Sequence, residues 1–142
     1  MPEPIQYIAQ GGRLVQKVVS ITLVNNVTLN EHVDVPANKR WVILGIRAVN
    51  CDDVNRAMAF EVYKEAAGTN LLRRLAYNTG ILANGAALQY PSYGTDTGST
   101  NHYGLVILQG GNRITAIFVA GGASTGGTDA DGLIVEYLEY DM

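Results

Sequence analysis

The residues that could do chemistry are few and widely separated. His32 and His102 are the two histidines, and no His-x-His pair occurs. Two histidines cannot fill a three-histidine metal site, so no metal centre is expected. Serine hydrolysis needs a serine, a base and an orienting acid. Ser20, Ser92, Ser99 and Ser124 lack the Gly-x-Ser-x-Gly elbow. Cys51 is followed by Asp52 and Asp53, and these carboxylates raise a thiol pKa rather than lower it. It reads as a small residue at a strand end. Asp129-Ala130-Asp131-Gly132 resembles part of a calcium loop, but it has no third acid before the glycine and no glutamate at the twelfth position. Gly110-Gly111-Asn112 and Gly121-Gly122 read as turns rather than phosphate cradles, because no helix follows them. The expectation is a non-enzymatic chain with no catalytic residues and no cofactor.

Chemistry of recognition is better represented. Residues 89–103 run Gln-Tyr-Pro-Ser-Tyr-Gly-Thr-Asp-Thr-Gly-Ser-Thr-Asn-His-Tyr, with Asp96 the one formal charge. Tyrosine buries a large area yet tolerates water, so Tyr90, Tyr93, His102 and Tyr103 are candidate partner-interface residues. A second candidate is the start of the chain. Pro2 and Pro4 oppose regular pairing, Ile5, Tyr7 and Ile8 are apolar, and Gly11-Gly12 makes a hinge. Residues 1–12 therefore read as an extended arm, with Ile5, Tyr7 and Ile8 as contact residues. The arm must bury itself on its own sheet or on a neighbour. Arg73-Arg74 should point to opposite faces of one strand.

Composition sets the frame for these candidates. The chain has 142 residues, which suits one domain over 13–142. Hydrophobic residues make up 47%, enough for a sizeable core. Charged residues make up only 16%, against roughly 25% in a typical soluble domain. Low charge with many Gly, Thr, Asn and Tyr suits a surface covered by partners. Net charge is −3 and is unevenly placed. Residues 1–95 carry nine Lys/Arg and seven Asp/Glu; residues 96–142 carry Arg113 against six acids. The imbalance could steer unlike faces of neighbouring subunits together, or it could reflect strands from both halves interleaving. No basic nucleic-acid surface is visible. One cysteine excludes an internal disulfide. Met1-Pro2-Glu3-Pro4 lacks the basic start and apolar run of a signal peptide, and no apolar stretch approaches the ~20 residues of a membrane span.

The elements that must position all this are strands. Branched and aromatic residues alternate with polar ones over 14–24, 27–35, 71–77, 86–90, 104–108, 114–120 and 133–140, with turn residues between. Residues 40–49 are apolar too continuously for a wet face, so that strand should be central, with Gly45 marking a bulge. Residues 52–67 fit helical spacing at Val54, Met58, Val62 and Ala66, yet alternate as a strand over 57–64; the strand is favoured because every neighbour is one. Residues 121–132 read as a glycine-rich loop. The sum is an all-β chain: an antiparallel sandwich of eight to nine strands, of jelly-roll type, with long crossing connections.

Val33-Asp34-Val35-Pro36-Ala37-Asn38-Lys39-Arg40-Trp41, following an apolar arm, resembles the strand, Pro-Ala turn and basic-aromatic strand entry of small jelly-roll proteins of tailed bacteriophages. Gly111-Asn112-Arg113-Ile114-Thr115-Ala116 and Leu133-Ile134-Val135-Glu136-Tyr137-Leu138 are similar too. The nearest likeness is to head-decoration, or cement, proteins of the Bordetella-phage type. It implies a virion structural protein on the outer capsid surface, stabilising contacts between major capsid proteins of an HK97-type shell. It also implies a homo-oligomer, dimer or trimer, made in the host cytoplasm. The alternative is a jelly-roll tail or adhesin module for host-surface carbohydrate, with the tyrosine segment stacking on sugar rings and Asp96, Asn101 and His102 bonding hydroxyls.

Overall fold

The structure is a computed structural model that describes residues 11–91, 100–101 and 105–142. Among these, ten strands and no helix are present. They are β1 (Gly12–Leu23), β2 (Leu29–Asp34), β3 (Lys39–Val49), β4 (Arg56–Tyr63), β5 (Leu71–Ile81), β6 (Ala87–Tyr90), β7 (Thr100–Asn101), β8 (Val106–Gln109), β9 (Arg113–Phe118) and β10 (Gly127–Asp141). Sheet A has the order β1-β10-β3-β6, with β8 pairing beside β6 along the same β3 strand; sheet B has the order β2-β9-β4-β5-β7. First pairs with last, second with the penultimate strand, and β4 with β5. That wrapped antiparallel ribbon is the jelly-roll winding expected from the sequence.

Alternation explains each strand. Val33, Met58, Phe60, Val62, Ile114, Ala116 and Phe118 turn inward from sheet B, against Ile21, Leu23, Ile43, Leu133, Val135 and Tyr137 from sheet A. Trp41 and Tyr137 stack with ring centroids 3.8 Å apart. Each large side chain so buried stabilises the fold by about 1.5–3 kcal/mol. Within residues 52–67 the expected strand over 57–64 is present as β4, Arg56–Tyr63. β3 is central, paired with β10 on one side and with β6 and β8 on the other. Its register shifts beside Gly45, where Glu136 faces Gly45 and Tyr137 faces Ile43.

Two expectations need correction. β3 does have a wet face, because Arg40, Leu44 and Arg47 are exposed. The glycine-rich stretch is only half loop. Gly127 to Gly132 belongs to β10, and Gly127, Thr128 and Asp129 pair with Leu23, Thr22 and Ile21. The glycines there permit close approach rather than motion. A Cβ on Gly127 would sit 1.9 Å from the Cys51 carbonyl oxygen, and one on Gly132 would sit 2.6 Å from the Ile21 Cβ. The strand then bulges, because three residues, 130–132, oppose Ser20 before Leu133 pairs with Val19.

One end of the sandwich is held by a buried ion pair. Arg56 Nε donates to Asp52 Oδ2 at 2.7 Å, and both side chains have 0% exposure. The same guanidinium donates to the carbonyls of Val24, Val27 and Val119 at 2.8, 3.0 and 3.1 Å. Burial would push the Asp52 carboxyl up. Hydrogen bonds from Arg56, the Asp53 amide and Ser124 overcome it and hold the pKa at about 2. Asn50 Nδ2 donates to the Val54 and Ile81 carbonyls, both at 2.9 Å, and closes the same end.

Candidate docking face

Of the residues expected to meet a partner, Tyr90 is described, and it corrects the reading. It is 3% exposed and belongs to the core cluster. β6 pairs Tyr90 with Ile46 of β3, so the strand's alternation turns the ring inward. Ile5, Tyr7, Ile8, Tyr93, His102 and Tyr103 lie outside the described residues.

The charge imbalance has an internal answer. Arg13 of β1 donates to Glu139 of β10 at 2.9 Å, and Lys39 of β3 pairs with Asp141 of β10. Arg113 of β9 donates through Nε and Nη2 to Asp34 of β2 at 2.6 and 3.0 Å. Acids of the last strand meet bases of the first and third because those strands are neighbours. The interleaving of the two halves accounts for the pairing.

The outer face of sheet A shows what the sequence pattern concealed. Pairing registers place Leu14 opposite Leu138, Leu138 opposite Val42, and Val42 opposite Ile107. Four strands thus contribute one apolar row. Leu14 is 69% exposed and Ile107 51%, while Leu138, shielded between its neighbours, is only 4% exposed. Exposed Leu44 and Val18 lie on the same face. Arg40 flanks the row on one side and Arg47 on the other, both exposed, and neither makes an ion pair with a described residue. Where the β3 bulge brings Gly45 to this face, the missing side chain leaves a hollow of about 210 Å³, bounded by Arg47, Gln89, Ile134 and Glu136. An apolar ridge beside a hollow, flanked by arginines without an ion-pair partner among the described residues, is suited to bind a protein surface with apolar and acidic groups.

The outer face of sheet B is built differently. Its central row runs His32, Thr115, Glu61, Arg74 across four strands. His32 Nδ1 and Thr115 Oγ1 are 2.9 Å apart. Glu61 accepts the Tyr63 hydroxyl at 2.7 Å, and Arg74 Nε and Nη2 at 3.0 and 2.8 Å. Arg74 also lies 5.0 Å from the Tyr77 ring centroid. The Glu61 hydrogen bond and burial both push the Tyr63 hydroxyl pKa up. For Asp34, the Arg113 hydrogen bond holds the carboxyl below its ordinary range.

Among the described residues no group of three or more His, Cys, Asp or Glu could hold a metal ion. Cys51 is half-buried, and burial pushes its thiol up, with Asp129 and Asp52 adding to the effect. Sequence reasoning missed the apolar row because its members are spread over residues 14–138. The available signal was the outward parity of each strand: Leu14, Val42, Ile107 and Leu138 sit where an exposed strand face calls for polar residues.

Neither a protein-family model nor a curated protein matches the sequence. Among solved structures, a chain of the T13 IBDV viral particle is similar, with a TM-score of 0.40 and 10% identity over 94% of this chain. The match covers 36% of that viral chain.

Proposed function

We propose that this chain is a non-enzymatic virion structural protein that docks through the outer face of sheet A. In this reading it binds the outer surface of a tailed-phage capsid and cements contacts between major capsid proteins of an HK97-type shell. The observation that carries it is the Leu14–Leu138–Val42–Ile107 row, exposed at Leu14 and Ile107 and lying between two arginines without an ion-pair partner among the described residues. The likeness of the sequence to Bordetella-type cement proteins names the partner class, and Arg40 and Arg47 call for acidic groups on that partner. A protein that binds only the assembled lattice stabilises it by mass action, and many copies make modest contacts collectively strong. Self-association into a dimer or trimer would add valency, and the arm before β1, with Ile5, Tyr7 and Ile8, would reach a neighbouring subunit.

The test is occupancy on density-purified particles, by quantitative mass spectrometry against the major shell protein. Near-stoichiometric abundance supports cementing; a handful of copies, or none, overturns it. Deleting residues 1–10 should leave a folded sandwich with weaker particle binding. Unchanged occupancy would remove the arm from the contact.

A further inference from the structure

The outer face of sheet B carries a groove of about 290 Å³ that capsid docking through sheet A does not use. Its floor is the β2–β9 ladder, where His32 stands opposite Thr115 and Asn30 opposite Ile117. Its wall is Tyr63 and the turn at Ala67 and Gly68. Three lining side chains are held by neighbours on the same face: His32 by Thr115, Tyr63 by Glu61 and Arg113 by Asp34. Their conformations are therefore ordered before any ligand arrives, which lowers the entropic cost of binding.

What remains unengaged defines the ligand. The Asn30 carboxamide and His32 Nε2 have no partner among the described residues, and both residues are exposed on the face. Arg113, the one Lys or Arg among the described lining residues, is already neutralised by a two-pronged contact with Asp34, so an anion gains little there. Ile117 and the Tyr63 ring supply a small apolar wall. Fixed polar edges, an aromatic wall and balanced charge suit an uncharged ring bearing hydroxyls. We propose that this groove binds a pyranose unit of a neutral polysaccharide, with hydroxyls bonded to Asn30 and His32 and the C–H face against Tyr63. Docking through sheet A would leave the groove facing away from the shell, toward whatever surface the particle meets. The proposed sugar site thus lies on the body of the sandwich.

The experiment is an amide chemical-shift titration of the full chain with four probes: the methyl pyranosides of glucose, galactose, mannose and N-acetylglucosamine. Saturable shifts confined to residues 30–34, 63–68 and 113–117 are expected from at least one probe, with a Kd of about 1 mM. Asn30→Ala and His32→Ala, both at exposed positions, should each weaken that binding by about fivefold while leaving the remaining spectrum in place. The proposal is overturned by the absence of saturable shifts up to about 20 mM with all four probes. Shifts centred elsewhere, or variants that bind like the parent chain, would overturn it equally.

Discussion

The two sheets present opposite solutions to an exposed face. On sheet B, His32, Thr115, Glu61, Arg74, Tyr63, Arg113 and Asp34 engage one another across the strands. On sheet A, a comparable row of four strands carries Leu14, Leu138, Val42 and Ile107, and the nearby Arg40 and Arg47 have no ion-pair partner among the described residues. A face whose groups satisfy each other is already stable in water. A face that leaves apolar area and charge uncompensated gains free energy only when something covers it. The difference makes sheet A the face on which the proposed capsid docking is to be tested.

The largest effect should come from the element that serves both faces. Arg56→Ala leaves the Asp52 carboxylate buried without its partner and frees three loop carbonyls, at a cost of about 3–5 kcal/mol. Urea denaturation should show one cooperative transition moved to much lower denaturant, with both faces lost together. A loss below about 1 kcal/mol would mean that the faces fold independently of this end.

The next pair of changes separates the faces directly. Leu14→Asp with Ile107→Asp should alter stability by under about 0.5 kcal/mol each, because both side chains are exposed. The same double variant should lower particle binding by about a hundredfold, since each residue would bury roughly 1.5–3 kcal/mol of apolar surface on docking. Glu61→Ala should do the reverse. It leaves Tyr63 and Arg74 without their acceptor and costs about 1–3 kcal/mol of stability, while binding of the folded fraction to particles stays unchanged. Sedimentation with particles and thermal unfolding read the two quantities. If Glu61→Ala weakened docking more than the double variant, the assignment of faces would be inverted.

Acid tests the same contrast. Asp52 in the folded chain sits at about 2, and Asp34 sits below its ordinary range beside Arg113. A carboxyl depressed on folding contributes stability that is fully present above the unfolded pKa of about 3.9 and is lost as pH falls through the folded value. Unfolding free energy should therefore be level from neutral pH down to about 5 and fall below about 4. Asp34→Asn should flatten part of that fall. Stability that rises on acidification would contradict the pairing.

How much of this was legible in the sequence follows from which interactions are local. Strand alternation is local, so the sandwich and eight to nine of its ten described strands could be read from residues such as Ile114, Ala116 and Phe118. Gly127 and Gly132 look like loop residues because their role depends on Cys51 and Ile21, more than seventy residues away in the first case and over a hundred in the second. Nothing local in the sequence marks Arg56 and Asp52 as a buried pair until the fold encloses them. Tyr90 advertised contact by type, yet strand parity turned it inward. The outward parity of Leu14, Val42, Ile107 and Leu138 was visible strand by strand, but their joining into one row depends on registers, since the four strands meet only after the ribbon winds.

The smallest expected effect concerns the hollow beside that row. A Cβ added at Gly45 would meet the Tyr90 carbonyl oxygen at 3.6 Å, an ordinary contact, so Gly45→Ala fits the backbone. Replacing glycine within a strand should raise stability by up to about 0.5–1 kcal/mol, because the unfolded chain loses freedom. If a partner side chain fills the hollow, the added methyl occupies its space and particle affinity should fall severalfold while stability rises. A larger residue, Gly45→Leu, should deepen the loss. Were stability to rise with affinity unchanged in both variants, the hollow would lie outside the contact, and the apolar ridge from Leu14 to Ile107 would carry the docking alone.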